Sequence, residues 1–92
     1  MKKLDEAIKL LEAGWCKGSE AKTADGRNVP VEHPEAVCFC AVGALRKTGQ
    51  IELSSTLARR VRFTVLWAWN DMPSRTKEEV IALFRQVNEE GE

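Results

Sequence analysis

Three cysteines and the only histidine are the first candidates for a chemical site. Cys16, His33, Cys38 and Cys40 supply the four thiolate or imidazole ligands of a tetrahedral zinc site. Their spacing argues against zinc, because Cys38 and Cys40 would point about 200° apart on a helix, and paired ligands usually stand further apart in sequence. We expect buried cysteines that act as small apolar side chains. A metal site formed by these four residues is the alternative.

Covalent catalysis would require a cysteine within hydrogen-bond reach of His33 and a third group that orients the pair. His33 stands next to Pro34, in a segment without any recognisable nucleophile motif. The sequence therefore assigns no catalytic residue and no cofactor, and it favours a protein that is not an enzyme.

Three arginines, Arg59, Arg60 and Arg62, form a cluster of positive charge. Arg59 and Arg62 would share a face of a helix, and cations in its first turns would oppose the helix dipole. We expect a solvated face paired with glutamates, with a partner surface as the alternative. The chain has 14 basic and 14 acidic residues, whereas nucleic-acid binders usually carry a basic excess. Weak nucleic-acid binding through these arginines is a further alternative.

Two more candidates stand close together in sequence. Trp67 and Trp69 lie about 200° apart on a helix, so either a central helix is buried on both sides or one ring is exposed at an interface. We favour two-sided burial and take Trp67 as the candidate for the interface. Asp71 is expected to bond nearby backbone groups where the helix ends and to pair with Arg75. The alternative is that Asp71 faces a cleft and touches a ligand.

Helical periodicity indicates which elements must position these residues. Apolar residues recur at helical spacing within 3–13, 35–47 and 55–69, and we predict helices there, the second starting near Pro34. A strand competes over 61–69, where apolar residues also alternate. Thr76 and Glu79 form the capping box of a final helix. Asp25-Gly26 predicts a tight turn between possible hairpin arms at 20–23 and 27–31.

The predicted fold is mainly α: three or four helices in one domain over 1–92, with a short β-hairpin or an ordered loop at about 17–32. We expect the core to form around five large apolar residues, and a sheet of three or more strands would contradict this architecture. Those five residues are Leu11, Phe39, Leu45, Trp69 and Phe84.

The order of several motifs resembles that of a family of small uncharacterised proteins of bacteria and their phages. The motifs are a GW pair, an Asp-Gly loop, C-x-x-G-A-L, and W-N-D followed by R-T-x-x-E-V. They fall on Trp15, Asp25, Gly26, Cys40, Gly43, Ala44, Leu45, Trp69, Asn70, Asp71, Arg75, Thr76, Glu79 and Val80. The resemblance implies a helical fold and a cytoplasmic, often phage-encoded protein, but no activity. Cys16 and Cys38 depart from the pattern, which weakens the metal hypothesis.

The sequence thus favours a cytoplasmic, non-enzymatic protein-interaction module, and the resemblance suggests a phage accessory protein that modulates a host factor. Its binding residues would be Arg59, Arg60, Arg62, Trp67 and Asp71. The partner would be another protein or a second copy of the chain. No stretch is apolar for long enough to suggest a membrane span.

Overall fold

Five α-helices and three two-residue strands make up the computed structural model, which describes residues 2–90. In chain order they are α1 (Asp5–Ala13), β1 (Ala21–Lys22), β2 (Asn28–Val29), β3 (Cys38–Phe39), α2 (Ala41–Lys47), α3 (Ser54–Arg60), α4 (Leu66–Asn70) and α5 (Lys77–Glu89), with a 3-10 turn at Ile51–Leu53 before α3. The prediction of a small, mainly α fold is confirmed.

The first and last helices pack against each other because each has one apolar stripe. α1 buries Ala7, Ile8 and Leu11, and the buried stripe of α5 includes Phe84. Asn88 joins their ends: its Oδ1 accepts from the Leu4 N–H at 2.9 Å and its Nδ2 donates to Asp5 at 2.7 Å. This buried asparagine satisfies a backbone donor at the start of α1, where no side chain caps the helix.

The capping box at the start of α5 is confirmed. The Thr76 hydroxyl accepts from the Glu79 N–H at 3.2 Å, and the Glu79 carboxylate accepts from the Thr76 N–H at 3.0 Å. The Thr76 N–H, with help from the Arg75 guanidinium, lowers the pKa of Glu79 below its usual range. The expected pairing of Arg75 with Asp71 is not observed, because Arg75 contacts Glu79 at 3.3 Å and stacks on the Trp69 ring at 4.0 Å from its centroid.

The hairpin is the second confirmed element. β1 pairs antiparallel with β2, so that Ala21 faces Val29. The turn between them contains Gly26 at φ 87°, a conformation that glycine adopts without strain. Ala21 is fully buried and Val29 packs against the core, so these two apolar residues anchor the hairpin.

The predicted start of the second helix is wrong, and so is the limit placed on the number of strands. Residues 35–37 form a turn and an extended segment, Cys38–Phe39 is a third strand paired with β1, and α2 begins only at Ala41. The edge of the hairpin offers unpaired backbone groups to Cys38 and Phe39, and an extended chain satisfies them better than a helix. Cys40 then caps α2 by accepting from the Gly43 N–H at 3.3 Å.

The predicted third helix is broken in the middle. α3 ends at Arg60, α4 starts at Leu66, and Arg62 between them has φ 64°. The Phe63 N–H bonds the Ala58 carbonyl at 3.0 Å and the Arg62 N–H bonds the Arg59 carbonyl at 3.1 Å, which is the Schellman ending of a helix. The strand alternative for this segment is wrong as well, since residues 61–64 form a turn and bend.

Arg62 occupies the left-handed position that helix endings usually give to glycine, and its replacement should stabilise the protein. A residue with a side chain loses about 1–2 kcal/mol of stability in the left-handed conformation, and glycine avoids this cost. Glycine also makes the unfolded chain more flexible, which offsets part of the stabilisation. We expect Arg62→Gly to raise the free energy of unfolding by about 0.5–1 kcal/mol in urea titrations. Arg59→Gly, inside α3, is the matched control and should lower it. A loss of stability in Arg62→Gly would contradict this account of the turn.

The predicted core is confirmed at all five positions. Leu11, Phe39, Leu45, Trp69 and Phe84 are each buried, together with Leu4, Leu57, Val80 and Val87. α2 lies at the centre, because its segment Ala41–Leu45 is buried on every side. The beginning of α2 therefore sits where α4 and the loop after Trp15 meet, and that junction forms the candidate site.

Candidate functional site

The two tryptophans of α4 have opposite environments. Trp69 is 6% exposed and belongs to the core, whereas Trp67 is 56% exposed. Two-sided burial of this helix, the favoured prediction, is therefore wrong, and the alternative of one exposed ring is correct. Val65, just before the helix, is 40% exposed and extends the same apolar surface.

Trp67 forms one wall of a cavity of about 220 Å³. The cavity brings together three segments: the loop after Trp15, the start of α2 and the end of α4. Its lining residues are Gly18, Ser19, Glu20, Cys40, Val42, Trp67 and Asp71. Trp67 and Asp71, two candidates from the sequence, thus share one site.

Asn70 holds these three segments together and is completely buried. Its Oδ1 accepts from the Trp15 indole N–H at 2.7 Å and from the Ala41 N–H at 3.0 Å. Its Nδ2 donates to the Cys16 carbonyl at 3.2 Å and to Asp71 Oδ1 at 2.9 Å. All four hydrogen-bonding positions of the amide are used, so the side chain fixes the loop and α2 relative to α4.

A close backbone contact positions the cavity loop against α2. The Glu20 carbonyl accepts from the Cys40 N–H at 3.2 Å, and a Cβ at Gly43 would lie only 1.9 Å from that oxygen. Only glycine permits this approach. The Glu20 carboxylate meets Arg46 in a two-point ion pair, with N···O distances of 2.7 and 3.2 Å, so its charge is compensated.

Asp71 contributes a carboxylate with one committed and one available oxygen. Oδ1 accepts from the Gly18 N–H at 3.1 Å and from Asn70 at 2.9 Å. Oδ2 makes no hydrogen bond within residues 2–90, and no cation of that segment forms an ion pair with Asp71. The Lys17 ammonium donates instead to the Met72 and Pro73 carbonyls at 2.7 and 3.1 Å.

Two of the three cysteines, Cys16 and Cys40, have raised pKa values, which favours the protonated thiol. Burial, with a hydrogen bond to the Cys38 thiol, raises the pKa of Cys16 to about 12. Burial also raises the pKa of the Cys40 thiol. Thiolates rather than thiols are nucleophiles and metal ligands. The imidazole of His33 is engaged in its own turn, where Nδ1 accepts from the Glu35 N–H at 3.0 Å. In the described part of the chain no group of three or more Cys, His, Asp or Glu residues is placed to hold a metal ion.

The arginine cluster lies outside the cavity. Arg59 and Arg60 are in the last turn of α3, where cations favour the helix dipole instead of opposing it. Arg62 is not helical, so it does not share a helix face with Arg59 as predicted. Arg60 forms an ion pair with Glu90, and all three side chains are exposed.

Four lining residues of the cavity and the buried amide beside it were not singled out as site residues: Gly18, Ser19, Glu20, Val42 and Asn70. Gly18 and Glu20 belong to a polar loop whose place depends on Asn70, and no local pattern reveals that. Asn70 itself carries a signal, because a lone amide at the end of an apolar helix must find partners when buried.

These observations define a class of protein: a small, mainly helical domain with an aromatic and acidic cavity where α2, α4 and a loop meet. The chain belongs to the family of unknown function DUF6197, whose family model matches residues 2–90. Neither the curated proteins nor the solved structures include a match. No helix between residues 2 and 90 combines the length and the apolar character required to cross a bilayer.

Proposed function

We propose that this protein is a non-enzymatic interaction module that binds a protein partner through its Trp67 surface, defined as Val42, Val65, Trp67 and Asp71. The observation that carries the proposal is the 56% exposure of Trp67 beside an open cavity. Tryptophan is the residue most enriched among interface hot spots, which tend to lie in pockets that exclude water.

The surface around Trp67 is concave, as a contact of this kind requires. On its second side lies another depression of about 300 Å³, bordered by Ile51, Ala58 and Val65. Val42 and Trp67 line both the cavity and this second depression, so the indole lies between two concave surfaces. Covering its exposed part would remove roughly 140 Å² from water, worth about 3.5 kcal/mol at about 25 cal/mol per Å².

The cellular setting is part of the proposal. An odd number of cysteines, all of them free, is typical of a reducing compartment, and we place the protein in the cytoplasm. The motif order, including W-N-D before R-T-x-x-E-V, supports a phage accessory role in which the partner is a host factor.

Trp67→Ala should abolish partner capture without lowering stability. Tagged wild-type protein, Trp67→Ala and Val37→Ala would be compared in pull-downs from bacterial lysate. Val37 is the matched control, because it is 51% exposed and lines neither the cavity nor the second depression beside Trp67. We expect at least a tenfold loss of the specific partner with Trp67→Ala only, about 1.4 kcal/mol or more.

Equal recovery by all three proteins would contradict the proposed surface. Light scattering of the purified protein tests the other candidate partner, which is a second copy of the chain. A dimer that Trp67→Ala converts to monomer would replace the external partner by self-association.

A further inference from the structure

We infer that the cavity beside Trp67 receives one arginine or lysine side chain of the partner, held between the Trp67 indole and the Asp71 carboxylate. This inference rests on the proposed function and names the chemistry that the partner must present. It follows from the size of the cavity, from its walls and from the distribution of charge around it.

The cavity is suited to one long side chain. Its volume of about 220 Å³ is smaller than the roughly 300–1,000 Å³ of typical small-molecule sites. Val42 and Cys40 form an apolar floor with the indole as a wall. Arginine and lysine have apolar stems that bury well along such surfaces while the charged end remains near polar groups.

Within residues 2–90, Asp71 is the carboxylate of the cavity that forms no ion pair. Arg46 neutralises Glu20, Lys17 is directed to the Met72 and Pro73 carbonyls, and the raised pKa of Cys40 keeps its thiol neutral. Asp71 is left with a free Oδ2, while two hydrogen bonds to Oδ1 hold its carboxylate in place. A fixed carboxylate with an available oxygen is a ready acceptor for a charge-assisted hydrogen bond.

The indole favours the same kind of ligand. A guanidinium or ammonium within about 6 Å of an indole face gains about 0.5–2 kcal/mol by cation–π attraction. An anion would be repelled by Asp71, and the Gly18 N–H that could receive it is already bonded to Asp71. An apolar side chain would fill the floor but leave Oδ2 without a partner.

Asp71→Asn tests the negatively charged oxygen of Asp71 separately from the hydrogen bonds that hold its side chain in place. Asparagine keeps an oxygen in the place of Oδ1, so it can still accept from Gly18 and Asn70, and it replaces the charged acceptor Oδ2 by a neutral NH2 group that donates. Glu78→Gln, at an exposed position in the first turn of α5, is the matched control that removes one carboxylate outside the cavity.

The experiment is an amide and indole NMR titration with three small probes: N-acetyl-arginine amide, N-acetyl-lysine amide and the uncharged N-acetyl-norleucine amide. We expect the charged probes to shift the Trp67 indole and Gly18 amide signals of the wild type and of Glu78→Gln, with millimolar affinity. The Trp15 indole, whose N–H is bonded to Asn70, should stay in place. Asp71→Asn should weaken binding about tenfold or more.

Three results would overturn the inference: no shift at Trp67 and Gly18 with the charged probes, equal shifts with the norleucine probe, or undiminished binding by Asp71→Asn. Failure here is distinguishable from failure of the proposed function. If Trp67→Ala loses the partner but the charged probes do not bind, the surface is correct and its chemistry is wrong. If Trp67→Ala retains the partner, the surface itself is wrong.

Discussion

Replacing Asn70 with leucine is expected to remove a large part of the stability of the protein. The substitution would leave the Trp15 indole N–H, the Ala41 N–H and the Cys16 carbonyl without their partner at a buried junction. Each buried group without a hydrogen bond costs about 1–3 kcal/mol, so a loss of about 4–5 kcal/mol is reasonable. Small domains are stable by only about 5–15 kcal/mol.

Urea denaturation followed by tryptophan fluorescence and circular dichroism would measure this loss. Asn28→Leu is the matched control, since Asn28 is exposed on the edge strand of the hairpin, and it should change the free energy of unfolding by less than about 0.5 kcal/mol. A loss below about 1 kcal/mol in Asn70→Leu would mean that water satisfies the groups that Asn70 now serves.

Gly43→Ala is the second substitution with a large expected effect. We expect it to lower the free energy of unfolding, whereas helix propensity alone would raise it. Alanine in a helix interior is more favourable than glycine by about 1 kcal/mol. Here the added Cβ would lie 1.9 Å from the Glu20 oxygen and 2.8 Å from its carbonyl carbon. These are backbone atoms and cannot rotate away, so α2 and the cavity loop must separate.

We expect Gly43→Ala to lower the free energy of unfolding by about 3 kcal/mol, the upper range for overpacking. Ser55→Ala, at an exposed position of α3, is the control for propensity and should be neutral or slightly stabilising. The same urea titration measures both variants. A more stable Gly43→Ala would show that the loop moves freely and that the cavity has no fixed shape.

The sequence predicted the elements whose signals are local. The Thr76 and Glu79 capping box, the Asp25-Gly26 turn and the apolar stripes of α1 and α5 each act within a few residues, so no knowledge of the rest of the chain was needed. Those stripes also identified Leu11 and Phe84 as core residues, because the apolar face of an amphipathic helix packs toward the core.

The errors arose where long-range contacts overrode local pattern. Residues 35–40 are apolar enough for a helix, but β1, sixteen residues before Cys38, offers a sheet edge that pairs with Cys38 and Phe39. The break at Arg62 was missed for another reason: helix endings of this kind usually carry glycine, and arginine gives no such signal.

The candidate site was predicted in part. Helical geometry already required Trp67 and Trp69 to face different directions. The expected bonds from Asp71 to nearby backbone groups are not observed within residues 2–90, because its carboxylate accepts from the Asn70 amide and from the Gly18 N–H, which is 53 residues away in sequence. The cavity between Trp67 and Asp71 could not be predicted, because the loop that closes it is placed by Asn70 and Gly43, far away in sequence.

The packing of α1 on α5 has a consequence for the order in which the chain acquires its structure. The hydrogen bond between Leu4 and Asn88 spans 84 residues, so the contact that completes the start of α1 forms only by closing nearly the whole chain into a loop. Closing so long a loop costs entropy before the contact rewards it. During synthesis on a ribosome, α1 emerges before α5, so the face of α1 that packs on α5 stays uncovered until α5 is made. In that interval this face would be exposed to chaperones and to other nascent chains.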